Sequence, residues 1–142
     1  MPSVILPISS ADFAAARAAG VQVAIVPGGN SGAVAEHCLA LMLSLAKRMH
    51  LASRSISSRV LGAPATIELS GKTILIVGLG ASGVKLARIA KSLGLRVLAT
   101  KGRPEIVPDV EVDGLGPPDA LYGFLPEADF VVLMTTLSEA TR

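Results

Sequence analysis

Hydrophobic and polar positions change their period several times along the chain, and each change marks an element. Residues 10–19 are alanine-rich, with Ser10 placed to cap a helix and Gly20 to stop it. The stretch from Val21 to Val26 reads as a strand, closed by Pro27-Gly28-Gly29-Asn30. A long helix is predicted from Ser31 to about Arg54, with Val34, Cys38, Leu41, Leu45 and Met49 roughly along one face. Residues 54–66 are rich in Ser, Gly and Pro and form a connection. An apolar run at 73–77 then reads as a strand, and Val84, Ala87, Ala90 and Leu93, with Leu86 and Ile89, build the face of a following helix. Gly94 sits where a helix C-cap belongs, and residues 95–99 make a second short strand. Beyond it four prolines punctuate a loop-rich region. A short strand is expected at 110–112, a short helix at 118–125 and a buried strand at 128–134.

The junction at 77–83 carries the chemistry. Gly78-Leu79-Gly80-Ala81-Ser82-Gly83 is a G-x-G-x-x-G that leaves a strand and opens a helix. Gly78 permits the tight turn, Gly80 lets backbone approach a phosphate, and Gly83 lets the helix lie close on the strand. The helix N-terminus adds free N–H groups and a positive dipole end. The same spacing is compatible with a ligand-free β-α-β turn, but glycine at all three positions favours a dinucleotide pyrophosphate. Strand, turn, helix and strand cross over right-handed onto a parallel sheet. The fold class is therefore α/β, a Rossmann-like dinucleotide-binding domain with a parallel sheet.

Composition narrows the remaining classes. At 142 residues the chain is one domain or a piece of one, and 51% hydrophobic with 17% charged residues describes an interior-rich chain. Some apolar surface is therefore expected to meet a partner or further chain. A formal charge of +2, with no Trp, one Tyr and three Phe, gives no basis for nucleic-acid binding. The single cysteine rules out an internal disulfide and fits a reducing compartment; Cys38 on an apolar helix reads as a small buried hydrophobe. The uninterrupted apolar run near Leu39 to Leu43 is too short for a membrane span, and Met1-Pro2-Ser3-Val4 has no signal-peptide pattern, so the default compartment is the cytoplasm.

Three blocks, in order, resemble the D-isomer-specific 2-hydroxyacid dehydrogenases, the family of phosphoglycerate and D-lactate dehydrogenases and hydroxypyruvate reductases. They are Val26 to His37 leading into Leu39 to Arg48, Leu69 to Gly80, and Leu125 to Leu133 ending in Leu137 to Arg142. The resemblance implies an NAD(P)-binding domain over residues 31–142, incomplete at its C-terminus, after a remnant of a substrate domain and hinge over 1–30. It implies hydride transfer between a 2-hydroxy acid and nicotinamide, and a homodimer through the helix at 31–54. Cofactor contacts are expected from Gly78, Leu79, Gly80, Ala81, Ser82, Gly83, Lys101, Arg103, Thr135 and Thr136.

The departures from the family pattern are informative. Relatives commonly carry an Asp at the tip of the second strand, where this chain has Lys101, with Arg103 two residues on. A carboxylate there would repel a 2′-phosphate and cations attract it, so NADP is favoured over NAD; a solvated basic loop that leaves NAD binding intact is the alternative. Ala81 replaces a polar or basic residue and Thr136 a proline. Asn30 matches a position near the substrate in some relatives, or is a turn or helix-cap residue. Glu36 and His37 do not match catalytic positions, and His37 is read as a helix-packing residue. The family's catalytic Arg, Glu and His lie C-terminal to the third block, so no catalytic residue and no metal ligand is assigned here, and these 142 residues are expected not to turn over substrate. Two other readings remain: a non-enzymatic dinucleotide-sensing or corepressor-like module, and a product that does not fold stably.

Overall fold

The computed structural model describes residues 10–22, 28–62, 64–106, 108–136 and 141. The order of elements is α1 (Ser10–Ala18), α2 (Ser31–Ala46), α3 (Met49–Ser57), β1 (Thr73–Val77), α4 (Ala81–Ser92), β2 (Arg96–Thr100), β3 (Gly114–Gly116), α5 (Leu121–Phe124) and β4 (Phe130–Leu133). Single turns of 3-10 helix at Pro118–Ala120 and Leu125–Glu127 flank α5. The four strands form one parallel sheet in the order β3-β2-β1-β4. Thr73 lies opposite Arg96, and Ile74 opposite Phe130 on the other side.

The continuous apolar run of β1 is explained by its central place. Ile74, Leu75 and Ile76 are fully buried, as are Val97 and Ala99 of β2 beside them. A strand paired on both edges and covered on both faces has no solvent side to alternate with. Helix α4 lays Leu86, Ala87 and Ala90 on this sheet, and α2 packs along α4 through Ala35, Met42 and Ala46. Gly94 ends α4 as its position predicts: it has φ +77°, donates to the Lys91 carbonyl, and is followed by Leu95 donating to Ala90.

The helix expected over 31–54 is two helices. Arg48 is left-handed (φ 47°, ψ 46°) and separates α2 from α3, which continues to Ser57 into the expected connection. The break has a tertiary cause. The chain returning at Ile67 donates its N–H to the Ala46 carbonyl (3.0 Å), and the Lys47 Nζ donates to the Ile67 carbonyl (2.9 Å). The last turn of α2 is thus capped from outside. The predicted apolar face is also corrected. The buried face runs through Ala35, Met42 and Ala46, while Leu41, Leu45 and Met49 are exposed. Cys38 is half-buried against the core, as a small hydrophobe would be. His37 is exposed instead of packed.

The strand expected at 110–112 is absent; pairing begins at Gly114. Glycine is unfavourable in strands, which hides β3 from sequence patterns. Here neighbours crowd the space a side chain would need. A Cβ on Gly114 would lie 2.7 Å from Leu98 Cδ2, and one on Gly116 2.5 Å from Ala120 Cβ. The second strand is shifted by one residue from 95–99, the short helix is divided into three turns, and β4 is shorter than 128–134. The strand expected at 21–26 falls mostly outside the described residues.

Two aspartates start the flanking strands in the same way. Asp113 donates its N–H to the Val97 carbonyl (2.8 Å) while its carboxylate accepts from the Val97 N–H (2.7 Å). Asp129 repeats both bonds with Thr73, at 2.9 Å each. Lys91 and Lys72 pair with the respective carboxylates at 2.9 and 3.4 Å. The backbone N–H, then the lysine, holds the Asp113 carboxyl below its ordinary range, and the Thr73 N–H does the same for Asp129.

Candidate functional site

A cavity of about 900 Å³ opens at the C-terminal ends of β1, β2 and β4, where ligands bind in open α/β sheets. Gly78, Leu79, Gly80, Ala81 and Val84 form its floor, Lys101 to Arg103, Ile106, Pro108 and Asp109 one wall, and Met134 to Thr136 with Thr141 the other.

The three glycines have separable tasks. Gly78 has φ +102°, and a Cβ there would lie 2.9 Å from both the Met134 carbonyl carbon and the Thr135 nitrogen. Its N–H and that of Leu79 both donate to the Thr100 carbonyl, which ties the turn to the tip of β2. Gly83 is buried, and a Cβ there would meet the Gly78 carbonyl oxygen at 2.6 Å, so it sets how closely α4 starts to β1. Around a Cβ on Gly80 there is nothing within 4 Å. The bare backbone at Gly80 therefore faces open cavity, beside the first turn of α4 whose N–H groups have no partner within the helix. This cradle can take a pyrophosphate: the unpartnered first-turn N–H groups of α4 sit beside bare backbone at Gly80 that opens on the cavity.

The wall at the end of β2 is cationic and braced. Lys101 donates its N–H to the Gly116 carbonyl (3.0 Å) and its Nζ to the Ile106 carbonyl (2.6 Å). Arg88 of α4 holds both the carbonyl and the carboxylate of Asp109. The Arg103 side chain is exposed and has no hydrogen-bond or ion-pair partner among the described residues. On the opposite wall the Thr141 hydroxyl donates to the Thr136 carbonyl (2.6 Å).

Eight of the expected cofactor residues line the cavity together: Gly78, Leu79, Gly80, Ala81, Lys101, Arg103, Thr135 and Thr136. Ser82 and Gly83 lie in the first turn of α4 behind this lining, and Asn30 is outside it. Asn30 precedes α2 and makes no side-chain cap; its carbonyl accepts from Val34 instead. Its turn lies beside the cradle, since a Cβ on Gly28 would lie 3.1 Å from Ala81 Cβ. Glu36 and His37 are exposed on α2, away from the cavity. Sequence reasoning missed Val84, Gly102, Ile106, Pro108, Asp109, Met134 and Thr141. Gly102 stood between two assigned cations, but nothing in the pattern brings Ile106 or Asp109 to the cavity. No group of three metal-ligating side chains occurs among the described residues, and none of their helices is long and apolar enough to cross a membrane.

Comparison with known proteins agrees with this geometry. Residues 39–142 match the model of the D-isomer specific 2-hydroxyacid dehydrogenase, NAD binding domain. The chain is 38% identical over 98 residues to D-3-phosphoglycerate dehydrogenase of Archaeoglobus fulgidus, covering 65% of this chain and 18% of that protein. It is 31% identical over 138 residues to hydroxypyruvate reductase of Thermotoga maritima, covering 95% of this chain and 43% of the other. The crystal structure of the TT0316 protein from Thermus thermophilus superposes with a TM-score of 0.75 at 30% identity, over 92% of this chain and 41% of that one. The chain thus spans less than half the length of these relatives. With a glycine cradle, a parallel sheet and a family match over residues 39–142, the chain belongs to the D-isomer specific 2-hydroxyacid dehydrogenases through their NAD-binding domain.

Proposed function

We propose that this chain supplies the cofactor half of an NAD(P)-dependent oxidoreductase acting on the CH–OH group of a 2-hydroxy acid. The observation that carries the reading is the cradle itself: Gly78 and Gly83 cannot hold a side chain, while Gly80 faces open cavity between a wall that carries Lys101 and Arg103 and one that carries Thr135 and Thr136. When bound, the nicotinamide accepts or returns the hydride. The chain's own residues bind and orient. N–H groups at Gly80, Ala81, Ser82 and Gly83 would take the pyrophosphate, Lys101 and Arg103 the adenosine end, and Thr135 and Thr136 the rim beyond β4. The cationic wall supports a preference for NADP(H) over NAD(H).

The division into a hinge over 1–30 and a cofactor domain over 31–142 belongs to the same reading, as does a homodimer through 31–54. Leu41, Leu45 and Met49 are exposed by 52%, 68% and 57%, an apolar surface on α2 and α3 that a second copy would cover. The test is calorimetric titration of the 142-residue chain with NADPH and NADH, since the chain has no Trp to quench. Saturable binding, tighter for NADPH, is expected; absence of binding to a folded chain would overturn the reading. Light scattering at micromolar concentration reads the dimer separately.

A further inference from the structure

One side of α4 meets both the floor of the cavity and the segment that walls it. Ala81, Val84, Arg88 and Lys91 follow one another at helical spacing and so share a face. Ala81 and Val84 line the cavity. Arg88 and Lys91 reach instead to the strap of chain from Lys101 to Asp113, which joins β2 to β3. Arg88 Nη2 donates to both the carbonyl and the carboxylate of Asp109, and Lys91 Nζ donates to the Asp113 carboxylate at 2.9 Å. The two rungs have different surroundings. Asp113 also accepts from the Val97 N–H, and Val110 and Val112 between the rungs pack against the core, so this end of the strap is held without Lys91. Asp109 lines the cavity with its side chain 97% exposed, and Arg88 is its only hydrogen-bond or ion-pair partner among the described residues. Before it, Ile106 and Pro108 give the wall its apolar part.

We propose that Arg88 is a positioning residue for dinucleotide binding: by gripping Asp109 from α4, it holds the wall of Ile106 and Pro108 at a set distance from the glycine turn. Arg88 does not itself line the cavity. The inference rests on the reading of the cavity as a dinucleotide site, and adds to it a residue outside the lining. One helix carries both the N–H groups of the cradle and the clamp on the wall, so floor and wall keep their spacing. A ligand that spans them meets a wall already in place, and the strap need not be ordered at the moment of binding. The Lys91 rung has no such task, because the backbone bond of Asp113 and the packed valines fix its end of the strap.

The test compares the two rungs by calorimetric titration of the whole 142-residue chain with NADPH, each variant also being melted by circular dichroism. Arg88→Met and Lys91→Met remove the same charge from the same face of α4, so long-range field effects cancel between them. Each breaks one exposed pair and should lower Tm by no more than about 5 °C. Arg88→Met is expected to weaken NADPH binding roughly fivefold, the upper end of what an exposed pair contributes, and Lys91→Met by less than about twofold. Arg88→Lys, which still reaches one of the two oxygens, should recover part of the loss. A merely structural role would change affinity alike in both Met variants, and that result overturns the proposal. Asp109→Asn keeps the carbonyl and an acceptor side chain, so its affinity should lie between wild type and Arg88→Met. Binding tighter than wild type would show that Arg88 serves to mask the carboxylate, and the positioning role is then wrong. Wild-type binding that all variants match refutes this inference alone. Absence of NADPH binding by the folded wild type refutes the dinucleotide reading and the inference with it.

Discussion

Replacing Asp113 by Ala tests how the sheet is registered. Val97 has no solvent exposure, and its N–H and C=O both meet Asp113, the N–H through the carboxylate at 2.7 Å. Alanine preserves the backbone bond and removes the carboxylate, which leaves a buried amide without an acceptor. That costs about 1–3 kcal/mol. Loss of the Lys91 pair adds at most about 1 kcal/mol, because both side chains are about a third exposed (37% and 34%). A loss near 2 kcal/mol should lower Tm by roughly 6–10 °C in a chain of this size. Asp113→Asn keeps an acceptor and loses the charge, so about half that effect is expected.

The pH dependence has a definite sign. The carboxyl is held below its ordinary value of 3.8 in the folded state, first by the Val97 N–H and then by Lys91. Its contribution is complete above that value and is lost as pH falls through the lower folded value. The stability gap between wild type and Asp113→Asn should therefore be constant near neutrality and close below pH 3.8. Urea unfolding followed by circular dichroism between pH 7 and pH 3 measures both. An Asp113→Ala variant within about 0.5 kcal/mol of wild type at pH 7 would refute the argument that this carboxylate is the amide's acceptor.

The three cradle glycines should separate under substitution. Gly78→Ala places a Cβ 2.9 Å from the backbone of Met134 and Thr135 at φ +102°, so a loss of about 2–4 kcal/mol in stability is expected, read as a lowered urea midpoint. Gly80→Ala meets no protein atom within 4 Å; Tm should stay within about 2 °C while NADPH affinity falls at least about tenfold by calorimetry. Comparable losses of stability in both variants would contradict the division of tasks. Leu45→Glu, at a side chain 68% exposed, should leave Tm within about 2 °C when measured on monomer yet halve the light-scattering mass, and an unchanged dimer would remove this surface from the interface.

Local pattern was sufficient where neighbours in the chain decide conformation. The fully apolar run of β1, the helical spacing of Val84, Ala87 and Ala90 (Leu93, expected on the same face, caps α4 and is exposed), and Gly94 as a stop gave the β-α-β unit within one residue. The glycine spacing gave Gly78, Leu79, Gly80 and Ala81, because turn, close approach and helix start are consecutive in the chain, and the family pattern gave Lys101, Arg103, Thr135 and Thr136. Contacts distant in sequence decided the rest. Ile67 ends α2 by taking the Ala46 carbonyl, although the 31–54 pattern continues through that point. Strand β3 holds glycine at 114 and 116 because Leu98, Ala120 and Phe124 crowd the space a side chain would need. Asp109 reaches the cavity through Arg88, 21 residues before it, and Ile106 through Lys101 of the same strap. Sequence alone determined the parallel α/β unit and its glycine turn, since both follow from local period and from where Cβ atoms are missing. Tertiary structure decided the strand beside β2, the break after α2 and the commitment of Lys101, since each depends on a hydrogen-bond partner or a steric neighbour that no local pattern specifies.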